Sequence, residues 1–147
     1  MKYLEDSFLT RKLYNYANSE RKVERKLKKY YPAIISPLLL FKTDALSQSK
    51  VFESILVNQL NAEYLYRDPY KNEVDIIQPN DALLPIEIKY GKINNAGLLK
   101  FMKKINIKGG IIITNNTNDT HDIDGKTITM IPAYTFLLKQ HNHTEAS

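Results

Sequence analysis

The stretch LPIEIKY, Leu84 to Tyr90, decides how the middle of this chain is read. Leu84, Ile86 and Ile88 alternate as the buried face of a strand, because side chains two apart point the same way. The same alternation sets Glu87 and Lys89 together on the opposite face, close to the strand's end. They are either a same-face ion pair, worth well under ~1 kcal/mol if exposed, or part of a site.

The residues on either side supply a framework. Upstream, YLYR (64–67) and EVDIIQ (73–78) flank DPYKN, a hairpin loop, and Pro79-Asn80-Asp81 turns the chain into LPIEIKY. A helix is expected from about Ser49 to Asn61, with Phe52, Leu56 and Leu60 on one stripe. Downstream, Asn95 to Ile105 reads as a helix, and Gly109-Gly110 punctuates it. IIIT (111–114) then suits a strand buried on both faces. NNTNDTHDIDGK reads as a polar loop, 127–131 as a last strand, and Pro132 opens a helix to about Leu138. The order helix, three strands, helix, strand, strand, helix predicts an α/β domain, a mixed sheet flanked by helices with an αβββαβ core.

The N-terminal third is less decided. Residues 3–17 are amphipathic at both the helical and the strand period. SERKVERKLKKYY (19–31) has helical spacing, with Ser19 as cap and Val23, Leu27 and Tyr30 on one face. Pro32 stops that pattern, and PAIISPLLLF follows as a compact apolar connection. Residues 1–31 hold nine basic and four acidic side chains, which is the whole +5 net charge of the chain. Such a segment, with Lys22 and Lys26 in its middle, is either a phosphate-binding arm or a solvated, ion-paired face.

The 147 residues suffice for one domain with a real core. No run approaches eighteen apolar residues, so no membrane span is expected. The absence of cysteine excludes disulfides and thiolate metal sites and fits a reducing, cytoplasmic interior.

Three carboxylates stand out: Glu53 on the helix, Asp75 on the second hairpin strand, and Glu87 on the third with Lys89 beside it. Adjacent antiparallel strands let Asp75 and Glu87 converge, and Mg²⁺ takes hard oxygen ligands of this kind, leaving water and phosphate to complete its octahedron. On that reading Asp75 and Glu87 bind Mg²⁺ or Mn²⁺, the Ile88 carbonyl adds a ligand, Lys89 orients hydroxide, and Glu53 contributes through water. Each residue also has a bland reading: Glu53 as a surface carboxylate, Asp75 as a solvent-facing strand residue.

This E…D…ExK set, in VFESILV, NEVDII and LPIEIKY, resembles the PD-(D/E)xK, or restriction-endonuclease-like, superfamily over roughly residues 45–138. The usual proline before the aspartate is replaced by Val74. The wider phrasing, YLEDSFLTRKLYNYANSERKVERKLKKYYP with FESILVNQL and YLYRDPYKNEVDII, looks like the C-terminal part of archaeal AAA+-type ATPases. There a P-loop domain and a winged helix precede a nuclease-like domain. This chain has no GxxxxGK[ST]. The resemblance implies that KKYYP is extended from Lys28 onward, against its helical period. It divides the chain into a basic N-terminal extension (1–44, the end of a winged-helix-like region and linker), a nuclease-like domain (45–138) and a disordered tail (139–147).

The expected function is a Mg²⁺-dependent nuclease acting on DNA; the alternative is an inactive nuclease-like module that docks DNA or an ATPase partner. Dimerisation stays open. Arg67 and Lys71 beside the hairpin are candidate phosphate contacts, although loop charges are usually just solvated. Tyr66 and Tyr90 read as packing residues. His121, Asp122 and Asp124 read as turn chemistry, and His141-Asn142-His143 as a chance triplet.

Overall fold

The computed structural model describes residue 3 and residues 7–17, 27–79 and 82–144. The elements are β1 (Thr10–Asn15), β2 (Lys28–Pro32), α1 (Pro37–Leu40), α2 (Ala45–Gln59), β3 (Tyr64–Arg67), β4 (Glu73–Pro79), β5 (Leu83–Lys89), α3 (Ala96–Ile105), β6 (Gly109–Thr114), β7 (Asp119–Ile123), β8 (Lys126–Pro132) and α4 (Ala133–Thr144). All eight strands form one mixed sheet in the order β2-β1-β3-β4-β5-β6-β8-β7. The meander β3–β4–β5 is antiparallel, and β5, β6 and β8 run parallel.

Each face of the sheet has its own core. Leu56 and Val57 of α2 and Phe136 of α4 pack with Leu13, Ile76, Ile86, Ile88 and Ile113 on one face. Leu98, Phe101 and Met102 of α3 pack with Val74, Ile77, Ile112 and Met130 on the other. The close seat of α3 depends on Gly110, where an added Cβ would lie 2.8 Å from the Met102 sulfur. Asp44 caps α2, its Oδ1 accepting the Ser47 N–H at 2.8 Å, so this helix begins four residues before the expected Ser49.

The sheet is disturbed beside Asp75. Tyr66 pairs with Val74 but Tyr64 with Ile77, so two steps on β3 face three on β4. The extra residue falls at Asp75 or Ile76, a β-bulge of the kind that re-aims a side chain. It lets Val74 and Ile77 share the α3-side core while Ile76 enters the other.

Some expectations need correction. From Lys28 the supposed 19–31 helix is strand β2, as the resemblance implied, and residues 19–26, with Lys22 and Lys26, lie outside the described residues. Five cross-strand pairs with β1, Thr10↔Pro32 to Tyr14↔Lys28, override the helical spacing. The N-terminal third therefore enters the same sheet as the rest of the chain. PLLL (37–40) forms a helical turn inside the expected connection. The supposed polar loop contains β7, paired to β8 through a turn in which Asp124 (φ 53°) and Gly125 (φ 70°) are both left-handed. That is a two-residue hairpin turn of the Asp-Gly type. The last helix continues to Thr144, past the end expected near Leu138.

Candidate functional site

β4 and β5 pair backbone to backbone only as far as Ile76↔Ile86. One step further Asp75 stands across from Glu87, and the Asp75 side chain takes over the junction. Its Oδ2 accepts the Ile88 N–H at 2.8 Å. In an extended strand a residue's N–H and C=O point to the same edge. The Ile88 carbonyl therefore faces this widened junction as well.

Glu87 is buried, 7 % exposed, and its Oε1 is 2.6 Å from the Lys89 Nζ. The expected same-face ion pair therefore exists, but it is not the exposed pair whose worth is small. The other oxygen, Oε2, is buried with no hydrogen-bond partner among the described residues. A carboxylate oxygen left unpartnered in low dielectric is costly. Burial first, then the charges of Glu87 and Glu53, push the Asp75 carboxyl up to about 8, and the Ile88 N–H pulls against them. Burial also raises Glu87, with Lys89 opposing. Lys89 is held above its ordinary value: burial lowers it, but Glu87 outweighs that, helped by Asp75 and Glu53.

Glu53 reaches the cluster from α2. Its Oε1 accepts from Lys29 Nζ at 2.7 Å and from the Tyr31 hydroxyl at 2.5 Å. Lys29 also donates to Glu73 Oε1 at 2.8 Å, and Arg67 lies 3.7 Å from Glu73 Oε2. A chain of alternating charge thus runs Glu53–Lys29–Glu73–Arg67 across the end of the sheet. The two acids hold Lys29 strongly protonated against its burial, and burial with the Glu53 charge raises Tyr31.

Lys29, Tyr31 and Glu73 were missed as candidates. Lys29 and Tyr31, two apart on β2, share the face turned towards α2, and KKYYP read as a strand would have shown this. Glu73, two before Asp75, gave no signal apart from its charge.

The remaining candidates disperse. Lys71 is exposed in the hairpin loop, and Arg67, its backbone clasped by Asn15 at 2.8 and 2.9 Å, reaches the site only through Glu73. Tyr66 lies tilted against Phe101 at 4.5 Å and Tyr90 against Phe52 at 5.5 Å between ring centres, so both pack. His121 bonds Asp119, Asp122 accepts from Thr127, and Asp124 pairs with Lys103, which leaves no converged ligand set there.

Among the described residues no three acidic or histidine side chains form a ready-made metal cage. A Mg²⁺ site asks for less, one or two carboxylates with water and phosphate oxygens in the remaining positions. The unpartnered Glu87 Oε2, the half-buried Asp75 carboxyl and the edge-facing Ile88 carbonyl fit such an ion.

A family model described as "Domain of unknown function (DUF4143)" matches residues 43–136, and the chain belongs to this ATPase-associated C-terminal domain family. No curated protein and no solved structure matches the chain. No described helix is long and apolar enough to cross a membrane.

Proposed function

We propose that the junction of β4 and β5 is the active site of a metal-dependent nuclease that hydrolyses phosphodiester bonds in DNA. The observation that carries this reading is a buried, unpartnered Glu87 oxygen beside a half-buried Asp75 carboxyl, with Lys89 in contact with the other Glu87 oxygen. The order α2–β3–β4–β5–α3–β6 and the E…D…ExK set on it support a PD-(D/E)xK core.

Asp75, Glu87 and the Ile88 carbonyl would hold Mg²⁺ or Mn²⁺, which supplies a Lewis acid for the phosphate and lowers the pKa of bound water. Hydrolysis joins water's oxygen to phosphorus and breaks one P–O bond, and the leaving oxygen ends with a proton. Lys89 orients the water and offsets charge growing on the phosphate. Glu53, held by hydrogen bonds from Lys29 and Tyr31, places its carboxyl group at the cluster's edge. The neighbouring ATPase partner of such a domain would be supplied by another domain or chain.

A second reading is favoured by one observation: Lys29 and Lys89 already compensate the acids. On it the domain binds DNA or an ATPase without cutting. Calorimetry with Mn²⁺, run beside cleavage of supercoiled plasmid, decides between the two. Metal binding and cutting that both vanish in Asp75→Ala and Glu87→Ala support the nuclease; metal binding with no cutting by the wild type supports the module, and no metal binding at all removes the first reading.

A further inference from the structure

The α3-side face of β1 and β2 carries a second pattern. Lys12 and Tyr14 alternate with the core residue Leu13, and Lys28 and Tyr30 alternate with Lys29 and Tyr31 on the facing strand. The register pairs Lys12 with Tyr30 and Tyr14 with Lys28, so the four side chains form a checkerboard on one face. The Lys12 ammonium lies 5.1 Å from the Tyr14 ring centre and 6.0 Å from that of Tyr30; Lys28 lies 5.5 Å from Tyr14. All four are half-buried. α3 seats itself over β4, β5 and β6, so among the described helices it leaves this edge uncovered.

The checkerboard does not end at β1. Tyr14 neighbours Tyr64 across the parallel pair with β3. Beyond it Lys104 of α3 donates to the Tyr66 hydroxyl at 2.7 Å, beside a recess of about 420 Å³ that Arg67 and Lys71 also line. This recess opens at the end of the sheet where β3 finishes and β4 begins. Asp75, on β4, and Lys89, at the end of β5, lie at that same end.

We infer that this face is a binding platform for single-stranded DNA leading towards the β4–β5 junction. Tyrosine rings spaced by lysines match a strand whose bases stack while its phosphates meet cations, an arrangement tolerant of sequence. A duplex, with its bases stacked inside, has no face to offer the rings. The inference names the substrate form for the site proposed above and rests on that reading only for its link to cutting.

Binding is measured apart from cleavage, by fluorescence anisotropy of the full chain in EDTA. The probes are a labelled oligothymidylate of about 15 nucleotides, the same strand with abasic positions, and a blunt duplex, a length suited to one such platform. Oligothymidylate is expected to bind about tenfold more tightly than the abasic strand. Tyr30→Leu, which keeps an apolar cover, removes that preference, and Lys12→Glu with Lys28→Glu weakens both strands. Circular dichroism checks each variant. Equal binding of the thymidylate and abasic strands, preference for duplex, or wild-type affinity in the lysine variant overturns the platform, whether or not Tyr30→Leu folds. Mn²⁺ calorimetry on Tyr30→Leu should match the wild type. A chain that binds the strand but no metal keeps the platform and loses the nuclease; one that binds metal but no strand does the reverse.

Discussion

Asp75 is joined to Ile88 by a hydrogen bond of 2.8 Å from the Ile88 N–H to its Oδ2, one step past the last backbone pair of β4 and β5. The carboxylate thus joins the two strands where their backbone pairing ends. Structure and chemistry depend on the same side chain, so its substitutions must separate them.

Asp75→Asn does so, since an amide oxygen still accepts the Ile88 N–H but binds metal poorly. We expect a folded variant with Mn²⁺ affinity reduced at least about tenfold, the order found when a carboxylate ligand or its support is lost. Asp75→Ala should also lose thermal stability. Calorimetry and a thermal melt on both variants check this, and wild-type metal affinity in Asp75→Asn would contradict the ligand role.

The raised Asp75 carboxyl gives a signed pH dependence. Its folded value of about 8 exceeds the ordinary 3.8, so the folded state binds the extra proton between those limits. The Asp75 contribution to the stability of the metal-free protein is therefore full below about 4 and is lost as pH rises towards about 8. Glu87 is shifted the same way. A melting temperature lower at pH 8 than at pH 5, with a flatter profile in Asp75→Asn, is expected; a profile rising over that window in the wild type refutes it.

Metal binding should then release protons, because the ligands must ionise. Apparent Mn²⁺ affinity is expected to climb from pH 6 to pH 8. The calorimetric heat should vary with the ionisation enthalpy of the buffer, and heats that ignore the buffer would show that Asp75 is already ionised.

Lys29 joins two acids, so Lys29→Met leaves Glu53 and Glu73 facing each other without their cation. About a third of Lys29 is exposed, and solvent screening limits the loss to about 1 kcal/mol. That is about 3 °C in a melt of a domain this size. Glu53→Gln combined with Lys29→Met should cost less than the two changes added, the sign of a coupled pair.

The sequence made the middle of the fold legible because there apolar residues alternate cleanly: Ile86 and Ile88 against Glu87, Leu98 and Met102 on one helix stripe. The strand order from Tyr64 to Lys89 and the approach of Asp75 to Glu87 followed from it. The edges were illegible for physical reasons. β7 has no buried side chain, so Asp119 to Ile123 carries no alternation, and only the Asp124-Gly125 turn marked it. β2 hid behind a helical period because Tyr30 also falls in line with Val23 and Leu27 at helical spacing, and only pairing with β1, twelve residues upstream, overrides it. The bulge at Asp75 or Ile76 has no local signature at all, since it arises from how β4 is matched to β3.

The sheet order also sets how far the cooperative unit extends along the chain. The family model matches this chain from residue 43, whereas Leu13 and Tyr31 are shared with the core of that span and Lys29 with its charged cluster. The matched span is therefore smaller than the unit that packs together in this chain. A cut at residue 43 would leave six of the eight described strands and would strip Lys29 and Tyr31, with β2, from the charged cluster.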